Sequence, residues 1–145
     1  MPTLPTWAKV VLGLAALAGI VVLVERLIVT DREAVQASTD RVRRAALDGD
    51  ADAMLAEVAD DYRHLDVTKA ELATLARTYL DNGRVTRFGF LGRKIAVAQG
   101  RAHVDVDVVL EYEFKGRKTP ARIMARVTYE ERESGWKVVG FKVTN

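Results

Sequence analysis

The clearest pattern in the chain is a period-two alternation over Arg101–Tyr129. Ala102, Val104, Val106, Val108, Leu110 and Tyr112 fall on one side, and His103, Asp105, Asp107, Glu111 and Glu113 on the other. Beyond Lys115-Gly116-Arg117-Lys118 it resumes, with Ala121, Ile123, Ala125, Val127 and Tyr129 set against Arg122, Arg126, Thr128 and Glu130. Such alternation predicts two antiparallel strands with one buried and one wet face. A slip of one residue would bury every charge, so the register is strongly specified. A loop over 115–118 is expected to set Glu111 opposite Arg122 and Asp107 opposite Arg126, as ion pairs on the outer face.

The pattern before this hairpin is helical. Thr30-Asp31-Arg32-Glu33 has the form of a capping box, so a helix is expected from Asp31, although an unbroken helix from the preceding segment is the alternative. Val35, Val42, Ala45, Ala46 and Leu47 give it a thin apolar stripe, and Asp48-Gly49 ends it. Asp50 caps a short second helix carrying Met54, Leu55 and Val58. Thr68-Lys69-Ala70-Glu71 caps a third, with Leu72, Leu75, Ala76 and Tyr79 at helical spacing and Asn82-Gly83 at its end. Strands are expected over Arg84–Val97 and Trp136–Val143 on either side of the hairpin, and Gly89 and Gly92 suggest a bulge or bend. The expected fold class is therefore α+β: three helices packed on a curved four-stranded antiparallel sheet.

One stretch obeys neither period. Val10–Val24 is uncharged and mostly apolar, and extending it from Trp7 to Val29 gives a span long enough for a bilayer, with Lys9 and Glu25-Arg26 near its ends. A cleaved signal needs small residues at its cut site, and Val24 is followed by Glu-Arg-Leu-Ile-Val. The expectation is a single-pass anchor over residues 1–30 at the cell membrane, with the folded domain over 31–145. The short leading tail favours an extracytoplasmic domain, while Arg26, Arg32, Arg41, Arg43 and Arg44 pull the other way.

Charge and composition narrow the partners. The net charge is +2, half of it carried by Lys9, Glu25 and Arg26 in the anchor. The domain is close to neutral, so nucleic acid is not an expected partner. There is no cysteine, hence no disulfide or thiolate site. No cofactor or metal is expected. His103, Asp105 and Asp107 alternate on one strand face, but Arg122 and Arg126 lie across it and favour ion pairing.

Tyr62, His64 and Asp66 form the compact group with acid–base potential; the same residues also read as a surface histidine and a helix entry. The inward aromatics Tyr112, Tyr129, Trp136 and Phe141 either line a pocket or fill it.

The order of elements, the acidic turn LDGDADAMLAEVADD, and GWKVVGFKV in the last strand resemble the nuclear transport factor 2-like superfamily, a cystatin-like roll, over Asp31–Asn145. The resemblance implies a cone-shaped pocket. Among enzymes of this kind, Ala59-Asp60-Asp61 with Asp66 is similar to ketosteroid isomerase, with a more distant look of polyketide-cyclase-like proteins. It implies Asp66 as general base. The positions of the enzyme's tyrosine and second acid fall near Arg43 and at Ala125, so the oxyanion donors are not matched. The reading is a membrane-anchored, non-catalytic binding or assembly module for a protein partner or a small apolar ligand. The alternatives are an isomerase, dehydratase or lyase using Asp66 with His64 or Tyr62, and a homodimer formed through the outer sheet face.

Overall fold

The computed structural model describes residues 5–144, with residues 25–29 in backbone only. Helix α1 is a single run of 43 residues, Thr6–Asp48. It passes through Thr30 without a break: the capping pattern there is overridden because helix already exists on both sides and propagation is cheaper than a new nucleus. Its stretch Thr6–Val24 is long and apolar enough to cross a membrane, a composition that suits an anchor or a signal sequence alike. The side chains over Val10–Val24 are exposed, with no protein packed on them.

From Thr30 onward α1 becomes part of the domain. Val35, Ser38, Thr39, Ala45 and Ala46 are buried. Gly49 ends the helix in the left-handed conformation at φ 70°, where a side chain would be strained. Asp50 then caps α2 (Ala51–Leu55) by accepting from the Ala53 amide at 3.0 Å. A small hairpin follows, β1 (Arg63–His64) and β2 (Val67–Thr68), turning through Leu65 and Asp66 at φ 48° and 68°. Helix α3 (Lys69–Asn82) starts on the expected capping box of Thr68 and Glu71.

The main sheet holds β3 (Arg84–Ala98), β4 (Arg101–Phe114), β5 (Arg117–Arg132) and β6 (Gly135–Val143) as neighbours in that order, all antiparallel. Bulges at Thr86 and Leu91 in β3 and at Val139 in β6 increase its twist and curl it. The helices cover the concave side. Three arginines fix α1 along β3: Arg32 donates to the Ile95 carbonyl at 2.6 Å, Arg43 to the Phe88 carbonyl at 2.7 Å, and Arg93 to Asp40 at 2.7 Å.

The alternation on β4 and β5 sorts as expected, with Ala102 and Val104 fully buried and Tyr129 at 1% exposure. The register differs by two residues. The turn is Lys115-Gly116 alone, with φ 50° and 74°, as in a type I′ turn. Asp105 therefore faces Arg126 directly, and Asp107 reaches Arg122 on the diagonal, at 2.8 and 2.7 Å. A shift of two preserves the faces while exchanging the partners, so the expected Glu111–Arg122 and Asp107–Arg126 pairs do not form. Glu111 meets Lys118 at 3.4 Å instead. His103 lies 3.3 Å from the Thr128 hydroxyl, and no cluster suited to a metal occurs among the described residues.

Candidate functional site

The helices do not fill the curl of the sheet. Between them lies a cavity of about 290 Å³. Its floor is Val106 and Val108 of β4, Val127 and Tyr129 of β5, and Val138 and Phe141 of β6, with Phe88 and Phe90 of β3 along one side. Thr39 and Val42 of α1, Met54 and Leu55 of α2, Val58 and Tyr62 close the far walls. Helix α3 contributes Leu72 and Ala76 yet buries no residue completely, so it covers the cavity without being sunk into the core.

The sheet's bulges explain the space. Short valines point inward where the sheet curves, while the phenylalanines stand at the edge. Phe88 and Phe90 pack edge to face with centroids 5.6 Å apart, and the Arg93 guanidinium sits 4.7 Å over Phe90. The cavity floor is continuous with the packed core, where Val35, Ile95, Val104 and Trp136 join Val106, Val108 and Tyr129 in one cluster.

The hydroxyl-bearing side chains on the cavity wall are Thr39, Tyr62 and Tyr129. Behind Tyr129 runs a buried polar chain. The Ser38 hydroxyl lies 2.7 Å from Glu57 and 3.3 Å from the Tyr129 hydroxyl. Ser38 has one proton, given to the closer carboxylate, so Tyr129 supplies the proton of the second contact. Glu57, 6% exposed, also takes two hydrogen bonds from Arg41, at 2.5 and 3.1 Å.

Burial pushes the Glu57 carboxyl up, but the hydrogen bonds from Arg41 and Ser38 outweigh it and hold the group below the ordinary carboxylate range. Burial pushes the Tyr129 phenol up to about 12, with Ser38 opposing and the Glu57 charge adding to the rise. Tyr62 is raised by burial. Both phenols are thus neutral donors throughout the physiological range.

The residues singled out in the sequence separate into four places. Tyr62, Tyr129 and Phe141 line the cavity. Trp136 does not: it is 7% exposed within the packed core. Tyr112 does not either, because it lies at the seam between β4 and α3, donating to the Tyr79 carbonyl at 2.6 Å. Asp66 lies outside the cavity, at the tip of the small hairpin, with its side chain 94% exposed and paired with Arg63 at 3.3 Å. His64 pairs with Val67 in that hairpin, beside Gly140. Tyr62, His64 and Asp66 are therefore not one constellation: the turn sends Asp66 outward while Tyr62 is buried inward.

Sequence reasoning missed the Ser38–Glu57–Arg41 group. One signal was available, since Ser38 and Thr39 sit at helical spacing from Val35 and Val42 on an otherwise apolar stripe.

No protein-family model matches the sequence, and no curated protein matches it. Solved structures do. A nuclear transport factor 2-like protein with a cystatin-like fold from Novosphingobium aromaticivorans superposes with a TM-score of 0.65 at 20% identity, covering 83% of this chain and 86% of that one. A proposed aromatic ring hydroxylase from the same organism gives 0.69 at 18% identity, over 79% and 88%. A nuclear transport factor 2-like protein from Rhodospirillum rubrum gives 0.64 at 20%, over 77% and 98%. The chain has the nuclear transport factor 2-like, cystatin-like fold expected from its sequence; at these identities the likeness carries the fold alone.

Proposed function

We propose that this protein is a membrane-anchored, non-catalytic binding module whose cone-shaped cavity takes a small apolar molecule at the bilayer surface. The observation that carries the reading is the cavity wall itself: valines, leucines, phenylalanines and a methionine, with three hydroxyl-bearing side chains among them. A concave apolar site with a few polar groups is the usual form of a small-molecule site. Glu57, linked to the wall through Ser38 and Tyr129, has both oxygens engaged by Ser38 and Arg41, which suits a structural carboxylate better than a base. Residues 1–30 act as the tether in this reading. Holding the domain at the membrane raises its effective concentration toward ligands and proteins that reside there.

The test uses the full-length chain in lipid nanodiscs with N-phenyl-1-naphthylamine, whose fluorescence rises in apolar surroundings, and empty nanodiscs as reference. Saturable binding near one probe per chain is expected. Ala76→Trp and Val108→Trp, each placing an indole in the cavity, should remove it. Absence of binding to the wild type, or equal binding by folded filled variants, would overturn the ligand reading. Extraction of membranes with alkaline carbonate tests the tether, since a released chain would contradict it.

A further inference from the structure

Thr39 and Tyr129 are both occupied by the protein. The Thr39 hydroxyl donates to the Gln36 carbonyl at 2.8 Å and accepts from Arg93 at 2.7 Å. The Tyr129 hydroxyl is engaged by Ser38. Tyr62 differs. It is 5% exposed and lines the cavity, and its hydroxyl has no hydrogen-bond partner among the described residues.

Its hydroxyl is nevertheless not sealed in, because no enclosed side-chain oxygen or nitrogen lacks a partner among the described residues. The cavity is the open space that Tyr62 borders. The backbone that carries the ring is tied to the sheet: Ala59 and Val138 are joined by a backbone hydrogen bond at 3.0 Å, and the Tyr62 amide donates to the Ala59 carbonyl at 3.0 Å. The hydroxyl is thus an unused donor on a residue whose cavity neighbours are mostly apolar. Such a group loses free energy when an apolar ligand covers it and recovers it when the ligand brings an acceptor.

We infer that Tyr62 is the specificity-determining residue of the cavity, and that its ligand class is a compact apolar molecule bearing one hydrogen-bond acceptor, a ketone or ester carbonyl or an ether oxygen, placed against the Tyr62 hydroxyl. This rests on the cavity being a ligand site. Burial keeps the phenol protonated, so it acts as the donor. A charged ligand is disfavoured, since no guanidinium, ammonium or carboxylate is among the residues that line the wall.

Two probes of nearly the same shape test the inference: 2-acetylnaphthalene, with a C=O, and 2-isopropenylnaphthalene, with a C=CH₂ in its place. Each is titrated calorimetrically into the full-length chain in nanodiscs, with empty nanodiscs subtracted. The wild type should prefer the ketone by about tenfold, the discrimination that one net hydrogen bond supplies. Tyr62→Phe should abolish that preference while keeping or raising the affinity for the hydrocarbon. Equal binding of both probes by the wild type, or a preference that survives in Tyr62→Phe, would overturn the role of Tyr62 and leave the cavity reading standing. Binding of neither probe would overturn the ligand site and this inference with it.

Discussion

The hydroxyl of Tyr112 on β4 donates a 2.6 Å hydrogen bond to the carbonyl of Tyr79 on α3, and the two rings meet edge to face with centroids 6.0 Å apart. This contact pins the end of the helix that covers the cavity but buries none of its own residues. Gly83 lies directly beneath, where a Cβ would overlap the Tyr112 hydroxyl and the Glu113 carbonyl. Its backbone is extended at φ −157°, so glycine is needed there for space and not for conformation.

Tyr112→Phe should therefore cost about 0.5–1.5 kcal/mol and raise amide hydrogen exchange over residues 69–82 before other regions. Gly83→Ala should cost more, about 1–3 kcal/mol. Adding Tyr112→Phe should not rescue it, because the Glu113 carbonyl remains in the way. Urea denaturation and exchange mass spectrometry check both; unchanged exchange over 69–82 in Tyr112→Phe would mean that α3 is held elsewhere.

Glu57 supplies a pH dependence with a definite sign. Its carboxyl is held below its ordinary value of 4.5, so the unfolded chain takes up the proton more readily. The stability it contributes is present above that value and is lost as pH falls through the lower, folded value. Glu57→Gln should lower the melting temperature near pH 6 and lose less on acidification than the wild type. Asp60, Asp105, Asp107, Glu111 and Glu130 are also held low, by Lys69, Arg126, Arg122, Thr86 and Arg101 respectively, and their contribution is common to both proteins. Parallel melting curves from pH 6 to pH 3 would remove Glu57 from this role.

The two faces of β4 should respond oppositely to substitution. Val106→Asp places a carboxylate among Val104, Val108 and Ala125 without a partner and is expected to unfold the domain. Asp105→Asn alters an ion pair whose members are about half exposed and should change stability by about 0–1 kcal/mol. Melts of the full-length chain in nanodiscs check both, and reversed sensitivities would mean that the faces are misassigned.

Lys115 occupies a left-handed position that asparagine accepts more readily. Lys115→Asn should stabilise the hairpin by roughly 0.5 kcal/mol. Gly116→Ala, at φ 74°, should destabilise it by roughly 1 kcal/mol. A loss of stability in Lys115→Asn would argue against the two-residue turn.

The sequence by itself determined which side of β4 and β5 is buried, where α2 and α3 begin, and that a long apolar helix stands before the domain. Those features follow from periodicity and from side chains that bond their own backbone, as Asp50 and Thr68 do. The tertiary structure decided what depends on distant partners. Lysine at φ 50° is not an evident turn former, so the Lys115-Gly116 turn was hidden and the cross-strand pairs came out two residues away. Period two tells which face Tyr112, Tyr129 and Trp136 share, but not their height along the roll; curvature places Tyr129 at the cavity, Trp136 in the core and Tyr112 at the α3 seam. Asp66 and Tyr62, close in sequence, are parted by one left-handed turn. The Ser38–Glu57–Tyr129 chain joins residues 19 and 91 positions apart, a proximity that exists only once α1, α2 and β5 are packed together.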